Sequence, residues 1–262
     1  IMNTSKVFPW LRVSSLALCG ALVFAGCGGD SEEAPADGGD APAATETASA
    51  SGDGLAGKIS FSGTPPEATV IDTEGDAKCT AMHDGEPLLS ETVVVSADGA
   101  LANVFLYIKN PPEGDYPAPA APVVLDQVGC AYVPHVLGLQ AGQSLEIRNS
   151  DETTHNVRGI ARKNKAMNYG QPVGSPPRKK TFKKAEMKIR MKCDLHPWMT
   201  GYVFAMDHPY FAVSDADGNF SISGLPAGEY EVVAWHEKLD EQTGTVTIAD
   251  DGSGSIDFTF SS

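Results

Sequence analysis

Apolar and polar residues alternate in short runs along most of this chain, and glycine, proline and aspartate punctuate the runs. Lys58–Ser62 (KISFS), Val104–Ile108, Val123–Leu125, Val136–Leu139, Ser144–Asn149 (SLEIRN) and Tyr202–Met206 each read as a short strand. Thr92–Val95 and Val104–Ile108 flank Asp98-Gly99, a dipeptide suited to a hairpin turn. The cleanest alternation is Lys183–Cys193 (KKAEMKIRMKC). It sends Met187, Ile189, Met191 and Cys193 to one face and Lys188, Arg190 and Lys192 to the other. No helical period persists beyond a turn or two. Short strands at this spacing predict an all-β sandwich or barrel.

The first 55 residues break the pattern. Lys6 and Arg12 precede the apolar run Val13–Phe24, and small residues then lead to Cys27. This is the order of a secretory signal, over residues 1–26. The stretch Phe24-Ala25-Gly26-Cys27 resembles the bacterial lipobox, which implies lipidation of Cys27. The apolar run is too short to span a bilayer comfortably. Residues 27–55 form an acidic tether with almost nothing to bury, and folding is expected from near Ala56.

Five cysteines are present, and removing Cys19 with the signal and Cys27 to lipid leaves three. In an oxidising, exported compartment two of these pair, and Cys79–Cys130 is the expected bridge. Cys193 is then the odd thiol. It opens the stretch CDLHPWM, which sets a thiol, an imidazole (His196) and a thioether (Met199) three residues apart. These are soft ligands suited to copper. Zinc fits less well, since thioether is a poor zinc ligand and a second thiolate is missing. Of the six histidines, His155 stands out, directly after SLEIRN in NSDETTHNV.

Together LEIRNSDETTHNV and CDLHPWMTGYV resemble the cupredoxin (type-1 blue copper) family, in its amicyanin and plastocyanin branch, over residues 123–206. The resemblance implies a Greek-key β-sandwich, with additional β-sandwich strands at both ends of the chain. It makes His155, Cys193 and His196 the equatorial ligands of one type-1 copper ion and Met199 the axial ligand. Asn156 would point its backbone N–H at the Cys193 sulfur. Pro197 and Trp198 would form an apolar rim around an exposed edge of His196, the electron exit. Multicopper oxidases and copper nitrite reductases need further histidine-rich sites, and this chain has no His-x-His pair. The expected role is therefore one-electron transfer by a non-enzymatic carrier, exported and lipid-anchored to a bacterial membrane facing the periplasm or cell surface. The alternatives are a non-redox cell-surface binding module and a copper delivery or storage protein.

The final segment, 207–262, differs in kind. SDADGNFSISGLPAGEYEVVAWH resembles the carboxypeptidase regulatory-like (transthyretin-like) sandwich, and KISFSGTPPEATV, at the start of the segment 56–122, resembles that fold's first strand. Both ends are expected to fold together. His135, His208 and His236 read as structural more readily than as a second metal set. Net charge is −15, yet twelve basic residues and only Glu186 on the acidic side lie between His155 and Cys193. That asymmetry suits an acidic exported redox partner, such as a c-type cytochrome or a dehydrogenase. An acidic exported chain without aromatic interleaving is not expected to bind nucleic acid, and a saturated site leaves no place for a small-molecule substrate.

Overall fold

The structure, a computed structural model, describes residues 54–262. The expected signal peptide, the lipidation site Cys27 and nearly all of the tether lie outside the described residues. The first half contributes β1 (Gly54–Ser62), the short helix α1 (Ala77–Ala81), β2 (Phe105–Ile108), β3 (Val123–Val128), β4 (Ala131–Val133), β5 (Val136–Gln140) and β6 (Ser144–Ile147). Next come β7 (His155–Ile160), β8 (Met167–Gln171), β9 (Arg178–Thr181), β10 (Glu186–Lys192) and β11 (Thr200–Met206). The chain ends with β12 (Phe211–Val213), β13 (Asn219–Ile222), β14 (Gly228–Trp235), β15 (Gln242–Ile248), β16 (Ser253–Ser255) and β17 (Phe258–Ser261). The fold is all-β.

These strands build two sandwiches. In the first, a sheet of order β5-β11-β10-β7-β8 faces one of order β4-β3-β6-β9. Leu125, Leu145 and Ile147 from the second sheet meet Val157, Ile189, Met191 and Val203 from the first, all essentially inaccessible. In the other sandwich β1 pairs with β13, β16 and β17, opposite a sheet of order β12-β2-β14-β15. Strand β1 runs parallel to β17 from Ile59↔Phe258 to Ser62↔Ser261. The two ends of the described chain therefore share one core, including Leu55, Ile59, Val232, Ile248 and Phe260.

The two sandwiches join along β11, which is buried on both faces. Val203 and Ala205 point into the first core, while Phe204 and Met206 pack with Phe105 and Trp235 of the second sandwich. The Phe105 and Phe204 rings stack with centroids 3.9 Å apart. Gly138 permits this approach, because a Cβ there would lie 2.6 Å from the Phe211 ring. Burial of both faces explains why β11 reads as a nearly continuous apolar run.

Two local expectations need correction. Thr92–Val95 forms no strand; Val95 makes only an isolated bridge to Leu101 across the Asp98-Gly99 turn. The alternation in β10 breaks near its start, where the register with β11 shifts between Glu186 and Ile189 and Lys188 takes a φ of 60°. Met187 consequently packs against the joining core, away from Ile189, Met191 and Cys193. The buried Glu186 carboxylate anchors the bulge by accepting from the backbone N–H groups of Arg162 and Asn164. The basic stretch Arg178–Thr181 is a strand, β9, paired with β6.

Candidate metal centre

The bulge leaves the last part of β10 in register, so alternation carries Ile189, Met191 and Cys193 inward. Cys193 follows β10 directly, and its N–H donates to the Met199 carbonyl at 3.2 Å. The Met199 N–H donates to the His196 carbonyl at 2.9 Å, which closes the loop tightly. His155 begins β7, beside β10, and all four side chains are buried. Ligand atoms of His155, Cys193 and His196 lie within 4.8 Å of one another. The two histidines approach through their Nδ1 atoms, 2.9 Å apart, and the Cys193 sulfur lies 3.7 Å from His196 Nδ1. Met199 is buried in the core beneath the loop.

Hydrogen bonding around these atoms is one-sided. His155 Nε2 meets Asp151 Oδ2 at 2.8 Å, and His196 Nε2 meets Asp76 Oδ2 at 3.1 Å. An ionised carboxylate only accepts, so each ring carries its hydrogen on Nε2 and turns a lone pair inward at Nδ1. The Cys193 sulfur accepts from the N–H groups of Asn156 at 3.3 Å and His196 at 3.4 Å. Three lone-pair donors thus converge in a buried space. Opposed lone pairs at this distance call for a cation between them.

The titration behaviour agrees. Burial opposes charge on His155, but Asp151 and Cys193 outweigh it and raise the imidazole to about 9. Burial likewise pushes the Cys193 thiol up, but the His155 bond and the N–H groups of Asn156, His196 and Leu195 bring it below its ordinary value. The hydrogen bond from His196 leads the effects that hold Asp76 down to about 2. The metal-free pocket therefore favours a protonated His155 beside a thiol that ionises more readily than usual, a proton standing where a metal ion would sit.

Two nitrogen donors, one thiolate sulfur and a thioether in the same core fit a type-1 copper ion. Asn156 takes the expected position, and its side-chain oxygen also accepts the Asp194 N–H at 3.2 Å. Trp198 lies beside the His196 ring as expected, with centroids 5.1 Å apart, but the expected exposed edge is absent. His196 has no exposed edge, being only 4% accessible, with Asp76 against its outer nitrogen. Pro197 points to solvent, and the Trp198 indole N–H donates to the Cys130 carbonyl at 3.1 Å instead of edging an opening. The cause is the segment before β2, a part of the chain that the family resemblance did not cover. Its helix α1 is tied to the first sandwich by the Cys79–Cys130 disulfide.

Asp76 and Asp151 carry this polar environment, and neither was among the expected site residues. Asp151 had a signal, since it stands four residues before His155 in NSDETTH. Asp76 had none by spacing alone, being 120 residues from His196. The other histidines do not assemble a further metal cluster among the described residues. His135 bonds Glu237 at 2.5 Å, His208 Nδ1 accepts the Tyr210 N–H, and His236 Nδ1 accepts the N–H groups of Lys238 and Leu239.

The carboxypeptidase regulatory-like domain model matches residues 203–261, from within β11 to the end of β17. No curated protein matches the chain by sequence. Among solved structures, the P52G variant of amicyanin aligns at 21% identity and a TM-score of 0.30, covering 38% of this chain and 97% of that one. A purple cupredoxin from Nitrosopumilus maritimus aligns at 20% identity and a TM-score of 0.27, covering 31% of this chain and 97% of that one. A copper-containing nitrite reductase from Thermus scotoductus SA-01 aligns at 22% identity and a TM-score of 0.30, covering 37% of this chain but only 25% of the reductase.

Proposed function

We propose that this chain is a type-1 copper protein that carries single electrons between exported redox partners. The observation that supports this most is the convergence of two Nδ1 lone pairs and the Cys193 sulfur in one buried space, with both outer nitrogens bonded to carboxylates. Bound there, copper would supply a reversible one-electron couple. His155, Cys193 and His196 would hold it, with Met199 as the weak axial donor. The protein's part is to fix those donors before and after the electron moves, and to exclude water. Asp151 does this for His155, and it is itself held by the N–H groups of Gly129 at 2.6 Å and Cys130 at 2.8 Å. Asn156 and His196 donate to the sulfur and so temper its charge.

The partner surface in this reading is the basic outer face of β7 and β10, where Lys192 pairs in register with Arg158 one residue from Cys193. An acidic exported redox protein, such as a c-type cytochrome or a dehydrogenase, suits that charge. In the same reading, lipid on Cys27 of the lipobox-like FAGC holds the chain at a membrane surface. A buried, capped site disfavours copper delivery, which needs easy ligand exchange.

A redox titration of the copper-loaded full chain tests the function. One reversible one-electron couple is expected. Cys193→Ser abolishes it, while Met199→Gln keeps copper and shifts the potential. A couple that survives Cys193→Ser would overturn the assignment.

A further inference from the structure

Asp76 belongs to neither sandwich. It precedes α1, and its Oδ1 caps that helix by accepting the Lys78 N–H at 2.8 Å and the Cys79 N–H at 3.3 Å. Its Oδ2 faces inward and meets His196 Nε2 at 3.1 Å and the Thr153 hydroxyl at 3.2 Å. One carboxylate therefore finishes a helix with one oxygen and holds a candidate metal ligand with the other.

The helix is fastened on several sides. Cys79 is bonded to Cys130, in the turn after β3. Lys78 Nζ donates to the Glu152 carbonyl at 2.6 Å, and His83 Nε2 lies 2.9 Å from the Gly129 carbonyl. Both disulfide sulfurs and a ring nitrogen of His196 lie within 4.8 Å of one another. These contacts put α1 over the outer edge of the His196 ring, which accounts for its burial.

We propose that Asp76 is a positioning residue for His196, carried on a disulfide-fastened cap that closes the metal-facing donors from solvent. The part concerning the metal rests on the copper reading; the cap itself does not. An imidazole held at Nε2 from outside cannot swing about its Cβ–Cγ bond without breaking that hydrogen bond, so Nδ1 stays turned towards Cys193 with or without metal. The disulfide matters because a five-residue helix has too few internal hydrogen bonds to stay in place alone.

The test reads the Cys193 thiol in the metal-free full chain, alkylated with iodoacetamide and followed at that peptide by mass spectrometry. Two substitutions separate the duties of Asp76. Both Asp76→Asn and Asp76→Ser keep an oxygen for the helix cap, but neither accepts from His196: asparagine turns its NH2 donor towards the ring, and serine is too short to reach it. Alkylation of Cys193 is expected to be about tenfold faster in Asp76→Ser and Asp76→Asn than in the parent, the factor that corresponds to one net hydrogen bond. Cys79→Ser with Cys130→Ser is expected to accelerate it at least as much. On the copper-loaded chain, release of Cu(I) to bicinchoninate should rise in the same order. Equal alkylation in the parent and Asp76→Ser would overturn the proposal. If the order holds in metal-free protein but no blue copper forms, the cap stands and the copper reading falls. If blue copper forms and alkylation is indifferent to Asp76, the copper reading stands and the positioning role falls.

Discussion

His155 and His236 are both buried, one in each sandwich, and their environments prepare them for opposite states. His155 has the Asp151 carboxylate on one nitrogen and Cys193 near the other, and it is raised to about 9. His236 accepts two backbone N–H groups at Nδ1, and its buried Nε2 finds no hydrogen-bond partner among the described residues. Burial dominates there, and His236 is lowered to about 4. The same difference runs through the surrounding cores. Around His155 the interior also contains Asp151, Thr153, Gln127 and Gln171, whereas the core between β1 and β14 is built almost entirely of aliphatic and aromatic side chains. Buried polar groups are costly unless partnered. The group around His155 and His196 gives each of these histidines a carboxylate partner, and in the proposed reading that end of the first sandwich does the chemistry while the other sandwich supports it.

The contrast can be broken most strongly on the supporting side. Phe260, in β17 against β1, is 1% accessible, and Phe260→Ala is expected to cost about 4 kcal/mol of unfolding free energy by denaturant titration. Copper should not restore it, because the residue is remote from the donors. On the chemical side, Asp151→Ala strands three donors, the N–H groups of Gly129, Cys130 and His155 Nε2. It is expected to cost about 3 kcal/mol in the metal-free protein, measured the same way.

Acid sharpens the comparison. A histidine lowered by burial is neutral when folded but charged when unfolded below about 6.5, so its contribution is present above that value and is lost as pH falls towards 4. His236 alone implies a loss of about 3 kcal/mol across that window, an order-of-magnitude figure. His236→Phe should flatten the decline in melting temperature between pH 6.5 and 4. His155 has the opposite sign: its contribution is complete below about 6.5 and fades as pH rises through about 9. Cys193, whose thiol is held below its ordinary value, contributes with the opposite sign and so opposes that decline.

The smallest effect is expected at the surface beside the site. Arg158 and Asp194 form an ion pair at 3.3 Å with both side chains largely in water. Asp194→Ala should change stability by less than about 1 kcal/mol. A larger loss would mean that the basic face contributes to the fold as well as to its charge.

Much of this arrangement was legible in the sequence because it depends on local pattern. Alternation in KIRMKC sent Cys193 inward, and the three-residue spacing of CDLHPWM brought His196 and Met199 back beneath it. The pairing of Cys79 with Cys130 followed from counting thiols and setting Cys193 aside among metal-ligand residue types, and it is present. What was not legible depends on contacts between segments remote in sequence. A helix folded over the site hides the edge of His196, and nothing near CDLHPWM encodes that helix. The Glu186 bulge was hidden for a similar reason: alternation assumes an unbroken pleat, while the carboxylate answers to N–H groups on another loop. The basic run RKKTFKK gave no strand signal because its charge masks an edge strand, the kind of position where lysine is common.

The central claim is that His155, Cys193 and His196 hold copper through a thiolate. An optical and EPR spectrum of the full chain loaded with one equivalent of Cu(II) tests it most directly. The account predicts intense absorption of red light and a narrow copper hyperfine splitting, both lost in Cys193→Ser. A pale protein with wide splitting, or one that binds no copper, would contradict it.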